Sequence, residues 1–305
     1  MSFAAISAPA RGAIWMVVAA AFFAAMNAII RELSSHLPTL EIVFFRNLAA
    51  LLFMAPWLAR SGFAALRTAR GTVYIGRAAV GLVSMVLWFS SLALMPLAEA
   101  TALSFTAPLF VTLAAAIFFK ETVGARRWSA TAIGFLGAMI VVRPGFAAVG
   151  LPQALVLASA AASALSALLV KQLTRTEDSN AIVIYMNLYL TPISLVLALF
   201  VWQWPSLESV PLILALGLFA TLAHQAMTRA FAAADASAVM PFDFARLPFV
   251  ALIAWLAFGE TPDGWTWFGA ALIILAAAYT AQREAVRSRA QAAALVSDRR
   301  NAADE

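Results

Sequence analysis

The sequence predicts an all-α integral membrane protein of ten transmembrane helices, arranged as two inverted five-helix repeats, and three observations predict it. Of 305 residues, 64% are hydrophobic and only 11% charged, with a mean hydropathy of +0.90. A soluble globular chain is typically near half apolar and about a quarter charged. The apolar residues fall into ten runs, each near the roughly 20 residues that cross a hydrocarbon core about 30 Å thick. The two halves of the chain also resemble each other at a nearly constant offset. The 20 basic and 15 acidic side chains crowd into short stretches and cannot furnish the polar surface a water-soluble fold needs.

The runs lie at 13–33, 39–59, 72–94, 97–119, 128–142, 151–171, 180–201, 209–231, 235–258 and 265–282. Strands of a membrane β-barrel alternate polar and apolar residues at every second position. The stretch from Ala154 to Val170 does not, so the spans are helices. The first run follows a single Arg11 and precedes no small-residue cleavage site, and is expected to be retained.

Basic residues set the orientation. Arg11; Arg60, Arg67 and Arg70; Lys120, Arg126 and Arg127; Lys171 and Arg175; Arg229; and Arg283, Arg287 and Arg289 all fall on one side of a ten-span chain. The positive-inside rule makes that side cytoplasmic, and both termini with it. The opposite side receives Arg31, Arg143, His36, Glu41, Glu99, Glu208, Glu260 and Asp263. Residues 284–305 form a solvated cytoplasmic tail, expected to be disordered, and Ser61–Gly71 a short connector on the membrane surface. The pI near 10.2 reflects these scattered topology signals rather than a nucleic-acid surface. No cysteine is present, which excludes disulfides and thiol chemistry, and only His36 and His224 carry imidazole.

The internal repeat is the most informative feature after composition. Ile42-Val-Phe-Phe-Arg-Asn-Leu48 matches Ile182-Val-Ile-Tyr-Met-Asn-Leu188 at an offset of 140, and Ile30–Leu33 matches Val170–Leu173 in the same register. Pro96-Leu-Ala-Glu-Ala-Thr-Ala102 resembles Ala232-Ala-Ala-Asp-Ala-Ser-Ala238, and Phe119-Lys-Glu-Thr122 resembles Phe258-Gly-Glu-Thr261, followed by Trp128 and Trp267. Five spans per half is an odd number, so the second half, residues 148–283, enters the bilayer inverted relative to the first, residues 12–147. Inverted repeats are the usual architecture of secondary transporters, with a site near midplane.

The motifs resemble those of the drug/metabolite transporter superfamily, specifically its ten-span group built from two EamA repeats. Phe45-Arg46-Asn47, Met95–Thr101 leading into Phe105-Thr-Ala-Pro108, Glu121-Thr122, Gly134 and Gly137, and Arg143-Pro144-Gly145 carry the likeness over residues 12–283. Within that group the chain looks like the YddG-type amino-acid exporters. The resemblance implies a bacterial inner-membrane exporter of aromatic and other neutral amino acids, with S-adenosylmethionine uptake or export of another small metabolite or drug as the alternative.

A charge at the bilayer centre costs about 2.5–3.5 kcal/mol even on the mildest scale, so each polar residue in a span needs a partner or a purpose. His224 and Gln225 lie in the middle of the eighth run, where the repeat sets Trp88 and Phe89 in the third. Imidazole, amide and indole together supply donors, acceptors and an aromatic face, the equipment of a small-molecule wall. Packing accounts for His224 equally well. Ser84, one turn below Trp88, and Asn27 are further candidates that either meet substrate or bond within their own helices. Tyr185 and Tyr189 share a face of the seventh run. Asp243 and Arg246, three apart and flanked by Pro241 and Pro248, either neutralise each other or contact substrate; an irregular ninth helix would favour the second. Arg46 is expected to snorkel or to pair with Glu41 or Glu32. Asn47 and Asn187, at equivalent positions, serve as interhelical glue. Glu99 and Asp235 cap helix N-termini. Ala158, Ala162 and Ser166, with Ala160 and Ala164, form a small face that admits a close neighbour.

No catalytic motif, metal-ligand cluster or P-loop is present, so neither enzyme activity, nor a cofactor, nor ATP hydrolysis is expected. The expected partners are a small molecule and the lipid bilayer, with monomer and dimer both open. The expected mechanism is rocker-type alternating access around a cavity between the third, fourth, eighth and ninth helices, closed by the first and sixth.

Overall fold

The computed structural model describes residues 8–62, 67–107, 109–110, 125–142, 150–234, 239–276 and 278–279, and the regular secondary structure among them is helical. The helices are α1 (Ala8–Leu33), α2 (Thr39–Ser61), α3 (Gly71–Leu94), α4 (Leu97–Ser104), α5 (Ala125–Val142), α6 (Leu151–Leu173), α7 (Ser179–Leu199), α8 (Val210–Ala233), α9 (Arg246–Phe258) and α10 (Gly264–Ala276). Six of them, α1, α2, α3, α6, α7 and α8, are long and apolar enough to cross a membrane. The far end of the fourth span with Glu121 and Thr122, the side chain of Trp128, Arg143-Pro144-Gly145, residues 63–66 of the expected surface connector, Asp235, and the tail 284–305 lie outside the described residues.

Local chemistry sets the helix ends. Asp178 caps α7 by accepting from the backbone N–H groups of Asn180 at 2.8 Å and Ala181 at 3.3 Å. Pro152 opens α6, and the Gln153 side chain reaches back to the Gly150 N–H at 3.2 Å. At the end of α9 the chain turns left-handed at Gly259, φ 65°, and the N–H groups of Gly259 and Glu260 satisfy the Trp255 and Ala254 carbonyls. Pro56 and Pro192 lie inside α2 and α7, about one turn apart in the register that relates the halves.

The halves pack as inverted copies. α1 lies along α8, and its counterpart α6 lies along α3; these are the most extensive contacts of the bundle. Across the axis between halves, α2 meets α7 and α4 meets α9. Both members of that second pair are broken. After α4 the N–H groups of Phe105 and Thr106 bond three residues back, and before α9 residues Met240–Ala245 wind as a 3-10 helix. Phe105 and Phe244, one from each break, meet edge to face with centroids 5.0 Å apart. α5 and α10 cross at glycines: a Cβ on Gly137 would stand 2.8 Å from the Gly269 carbonyl oxygen, and one on Gly269 would stand 2.7 Å from that of Gly137.

Each half also ends its first helix with a cation that caps a neighbour. Arg31 of α1 donates to the carbonyls of Leu92 and Met95 at the end of α3. Lys171 of α6, 140 positions later, donates to those of Phe231 at 2.9 Å and Ala234 at 3.0 Å at the end of α8. Arg31 is further paired with Glu260 at 2.6 Å, whose other oxygen accepts from the Leu97 N–H. Large apolar side chains such as Leu52, Leu136, Leu199 and Leu256 remain exposed, as lipid-facing residues do.

The tightest helix crossing is that of α8 on α2. A Cβ on Gly217 would lie 2.2 Å from the Ala49 Cβ and 2.9 Å from the Ala50 backbone nitrogen, so backbone would have to move. Gly217→Val is therefore expected to destabilise the bundle by about 1–3 kcal/mol. Thermal unfolding in detergent should show a lowered midpoint, whereas Gly264→Ala, with no neighbour within 4 Å, should leave it unchanged. Equal midpoints for all three proteins would contradict the close approach.

Candidate functional site

Helices α1, α8 and α9 converge on Phe23. The His224 ring stands edge-on to the Phe23 ring, 5.1 Å between centroids at 87°, and the Arg246 guanidinium lies 4.7 Å from the same ring centre. Arg246 donates to Asp243 at 2.5 Å. The pairing follows from the local winding, because residues three apart eclipse one another in a 3-10 helix and Asp243 lies within that stretch while Arg246 closes it. The irregular ninth helix expected to favour a functional role is thus present. Thr228 donates to the His224 carbonyl, while Nδ1 of His224 and Nε of Arg246 are buried without a hydrogen-bond partner.

One turn along α1, Asn27 shares the face of Phe23 and is 1% exposed. Its side-chain oxygen accepts from the Trp88 indole N–H at 3.1 Å, and its amide nitrogen is buried and unpartnered. Phe22 and Phe219 approach at 5.9 Å beside it.

A second group lies between α2, α3 and α7. Arg46, 1% exposed, neither snorkels nor pairs with Glu41 or Glu32 as expected. It donates to the side-chain oxygens of Asn47 at 2.8 Å and Asn187 at 3.2 Å. The two asparagines are interhelical glue, acting through a guanidinium. Asn187 in turn donates to the Val183 carbonyl, and Glu41 accepts from the Gln203 N–H. The physical reason is depth: at 1.5 Å per residue, Arg46 lies about 10 Å inside α2, too far to reach water past a packed α7.

Arg77 escaped the sequence reading. It is 3% exposed, has no salt bridge or hydrogen bond to its guanidinium among the described residues, and stands beside Tyr74, whose ring meets that of Tyr185 at 4.3 Å between centroids, tilted by 33°. Tyr185 stacks in turn on Tyr189 at 5.9 Å. The signal that would have found Arg77 is an arginine two turns inside an apolar run, the placement that made Arg46 conspicuous. His224 lies within electrostatic range of Arg46, Arg77 and Arg246, the last of them paired with Asp243.

Other expected residues point elsewhere. Gln225 directs its amide to the Met54 sulfur of α2 at 2.8 Å. Ser84 bonds to Ser163 at 2.6 Å and to Ser159 at 3.3 Å, and Ser159 donates back to the Ser84 carbonyl, so these hydroxyls seam α3 to the small face of α6. Glu99 accepts from Gln153 at 3.4 Å.

Residues 10–143 and 151–282 each match the EamA-like transporter family. The chain belongs to the EamA family of transporters. Two riboflavin transporters are similar to it over nearly all of both chains: one from Vibrio cholerae, 36% identical over 92% of this chain and 96% of its own, and one from Rhizobium johnstonii, 38% identical over 91% and 93%. An S-adenosylmethionine uptake transporter of Rickettsia bellii is 28% identical over 85% of this chain and 89% of its own. A pseudopaline exporter of Pseudomonas aeruginosa is 30% identical over 87% and 94%. One crystal structure aligns with a TM-score of 0.63 over 90% of this chain and 98% of its own, at 18% identity, a likeness of fold alone.

In this EamA transporter Asp243 is the one carboxylate that Arg246 pairs with among the described residues. Asp243→Asn would leave the half-buried Arg246 without that partner, a loss smaller than the about 3–5 kcal/mol of a fully buried pair. The variant is expected to lower folded yield and the thermal midpoint, and Asp243→Asn combined with Arg246→Gln should recover most of the loss. A single variant as stable as the wild type would show that the pair is not structural.

Proposed function

We propose that this transporter carries riboflavin across the bacterial inner membrane by alternating access, with both termini in the cytoplasm. The observation that carries the proposal is a surplus of donors beside aromatic faces. Asn27 Nδ2, Arg46 Nε, Arg77 Nε and Arg246 Nε are buried donors without a partner, next to Phe23, Trp88, Tyr74 and Tyr185. The isoalloxazine ring of riboflavin is planar and aromatic, and its two carbonyl oxygens and ring nitrogens accept hydrogen bonds. Stacking on aromatic side chains with a few placed donors is the ordinary way to hold such a ring. The riboflavin transporters of Vibrio cholerae and Rhizobium johnstonii, alike over more than nine-tenths of both chains, support the same cargo.

The amino-acid export that the family resemblance implies has less behind it. An α-ammonium group needs acceptors, and the carboxylate of the Phe23 group, Asp243, is already bound by Arg246. S-adenosylmethionine, the cargo named for the Rickettsia bellii relative, brings a sulfonium cation toward an interior already in excess of positive charge. The proposed contacts are His224, Trp88, Asn27, Tyr185 and Arg246, the last held by Asp243. Gln225 and Ser84 act by packing.

Alternating access draws support from the paired helix-end contacts, Arg31 with Glu260 at one side and Lys171 with the α8 carbonyls at the other. A contact made on one side and its repeat counterpart on the other are the parts that a rocking motion exchanges. The chain holds no P-loop, so flux rests on gradients.

Expression in a riboflavin-auxotrophic bacterium deprived of its own carrier tests the cargo. Growth on low riboflavin and accumulation of labelled riboflavin are expected, and His224→Ala should cut the initial rate by about tenfold, the equivalent of about 1.4 kcal/mol, at unchanged membrane level. No accumulation of riboflavin, with flux of labelled phenylalanine instead, would overturn the assignment in favour of amino acids.

A further inference from the structure

Two guanidiniums in the bundle have no carboxylate. Arg46 and Arg77 are 1% and 3% exposed, close enough to influence each other electrostatically, and neither forms a salt bridge among the described residues. Glu41 accepts from the Gln203 N–H through one oxygen and keeps the other buried without a hydrogen bond among the described residues, Glu177 bonds the hydroxyls of Thr68 at 3.0 Å and Tyr74 at 3.3 Å, and Asp243 holds Arg246. Asn47 and Asn187 give Arg46 hydrogen-bond acceptors but no negative charge. Tyr74 gives Arg77 an aromatic neighbour and likewise no charge.

Burying an isolated cation costs several kcal/mol; Arg46 repays part of that by tying α2 to α7 through Asn187, and Arg77 has no such bond among the described residues. Arginine, with a planar fork of five donors, is the residue that best matches the two oxygens of a carboxylate or phosphate. Among the described residues Nε of both arginines is buried without a hydrogen-bond partner, so each fork keeps a free donor. The tilted Tyr74–Tyr185 pair supplies aromatic surface beside Arg77, and His224, whose Nδ1 is likewise unpartnered among the described residues, lies within electrostatic range of both.

We propose that Arg46 and Arg77 form an oxyanion subsite of the substrate cavity, so that the preferred cargo is an aromatic heterocycle bearing a carboxylate or phosphate. The proposal rests on the riboflavin reading for the heterocycle and on the arginines alone for the anion. For a flavin, the group that fits is a phosphate ester at the end of the ribityl chain. The arginines offset its charge, and the cargo in turn supplies the counter-charge the bundle lacks.

The test uses the full chain in lipid nanodiscs at matched ionic strength, with four probes: riboflavin, riboflavin 5′-phosphate, inorganic phosphate and succinate. Flavin fluorescence reads the first two and the thermal unfolding midpoint reads all four. Riboflavin 5′-phosphate is expected to bind about tenfold or more tightly than riboflavin, as charge-assisted bonds from two guanidiniums would give. That preference should vanish in Arg77→Gln and survive in large part in Arg77→Lys, which keeps the charge and guards against a folding defect. Riboflavin binding as tightly as its phosphate, with phosphate and succinate stabilising wild type no more than Arg77→Gln, overturns the subsite and leaves riboflavin transport standing. Stabilisation by phosphate or succinate that Arg77→Gln abolishes, with neither flavin bound, supports the subsite and removes the riboflavin reading. Silence from all four probes overturns both.

Discussion

A guanidinium inside a lipid-spanning bundle must be satisfied by the protein, and Arg46 meets that demand in a way the rest of the architecture depends on. Its two acceptors are Asn47, in its own helix, and Asn187, in the repeat-equivalent position of the other half. One cation therefore ties α2 to α7 across the axis that relates the repeats. Both acceptors are neutral amides, and Arg46 forms no salt bridge with a carboxylate among the described residues. In the proposed reading, the contact that joins the halves therefore also favours a ligand that brings acceptors.

The duplicated sequence produces matched hardware and then departs from it where chemistry is required. Phe105 and Phe244, Gly137 and Gly269, and the helix-end cations Arg31 and Lys171 recur in both halves and serve packing. Among the interior polar groups Asn47 and Asn187 recur, but Arg46 does not: it corresponds to Met186 at the same offset. Symmetric scaffolding suits a motion between two related conformations, while asymmetric lining gives a single ligand one orientation within it. The 3-10 stretch before α9 belongs to this second class, since its winding brings Asp243 under Arg246 and sets the guanidinium on Phe23.

Much of the fold was legible before any coordinates. Run lengths placed α1, α2, α3, α6, α7 and α8 within a few residues of their ends, because span length is dictated by bilayer thickness and Pro, Gly and Asp mark the turns. The repeat register anticipated the Asn47–Asn187 relation. What sequence could not convey was direction around each helix. Gln225 is adjacent to His224 yet points to Met54, and Ser84 shares a face with Trp88 yet is taken up by Ser159 and Ser163. Arg46 was expected to snorkel or to pair with Glu41 or Glu32, whereas it bonds Asn47 beside it and Asn187, 141 residues away. Arg77 was not singled out at all, although it lies about two turns inside α3.

The central claim is that the ligand lies between the two halves, against Arg46, which ties them together, and Arg77. A structure of the full chain determined with riboflavin is its most direct test. The account predicts the flavin ring between α1, α2, α3, α7 and α8, with acceptor atoms within hydrogen-bond distance of Arg46, Arg77 or His224. Flavin seated elsewhere, or both arginines neutralised by a carboxylate of the chain, would contradict it.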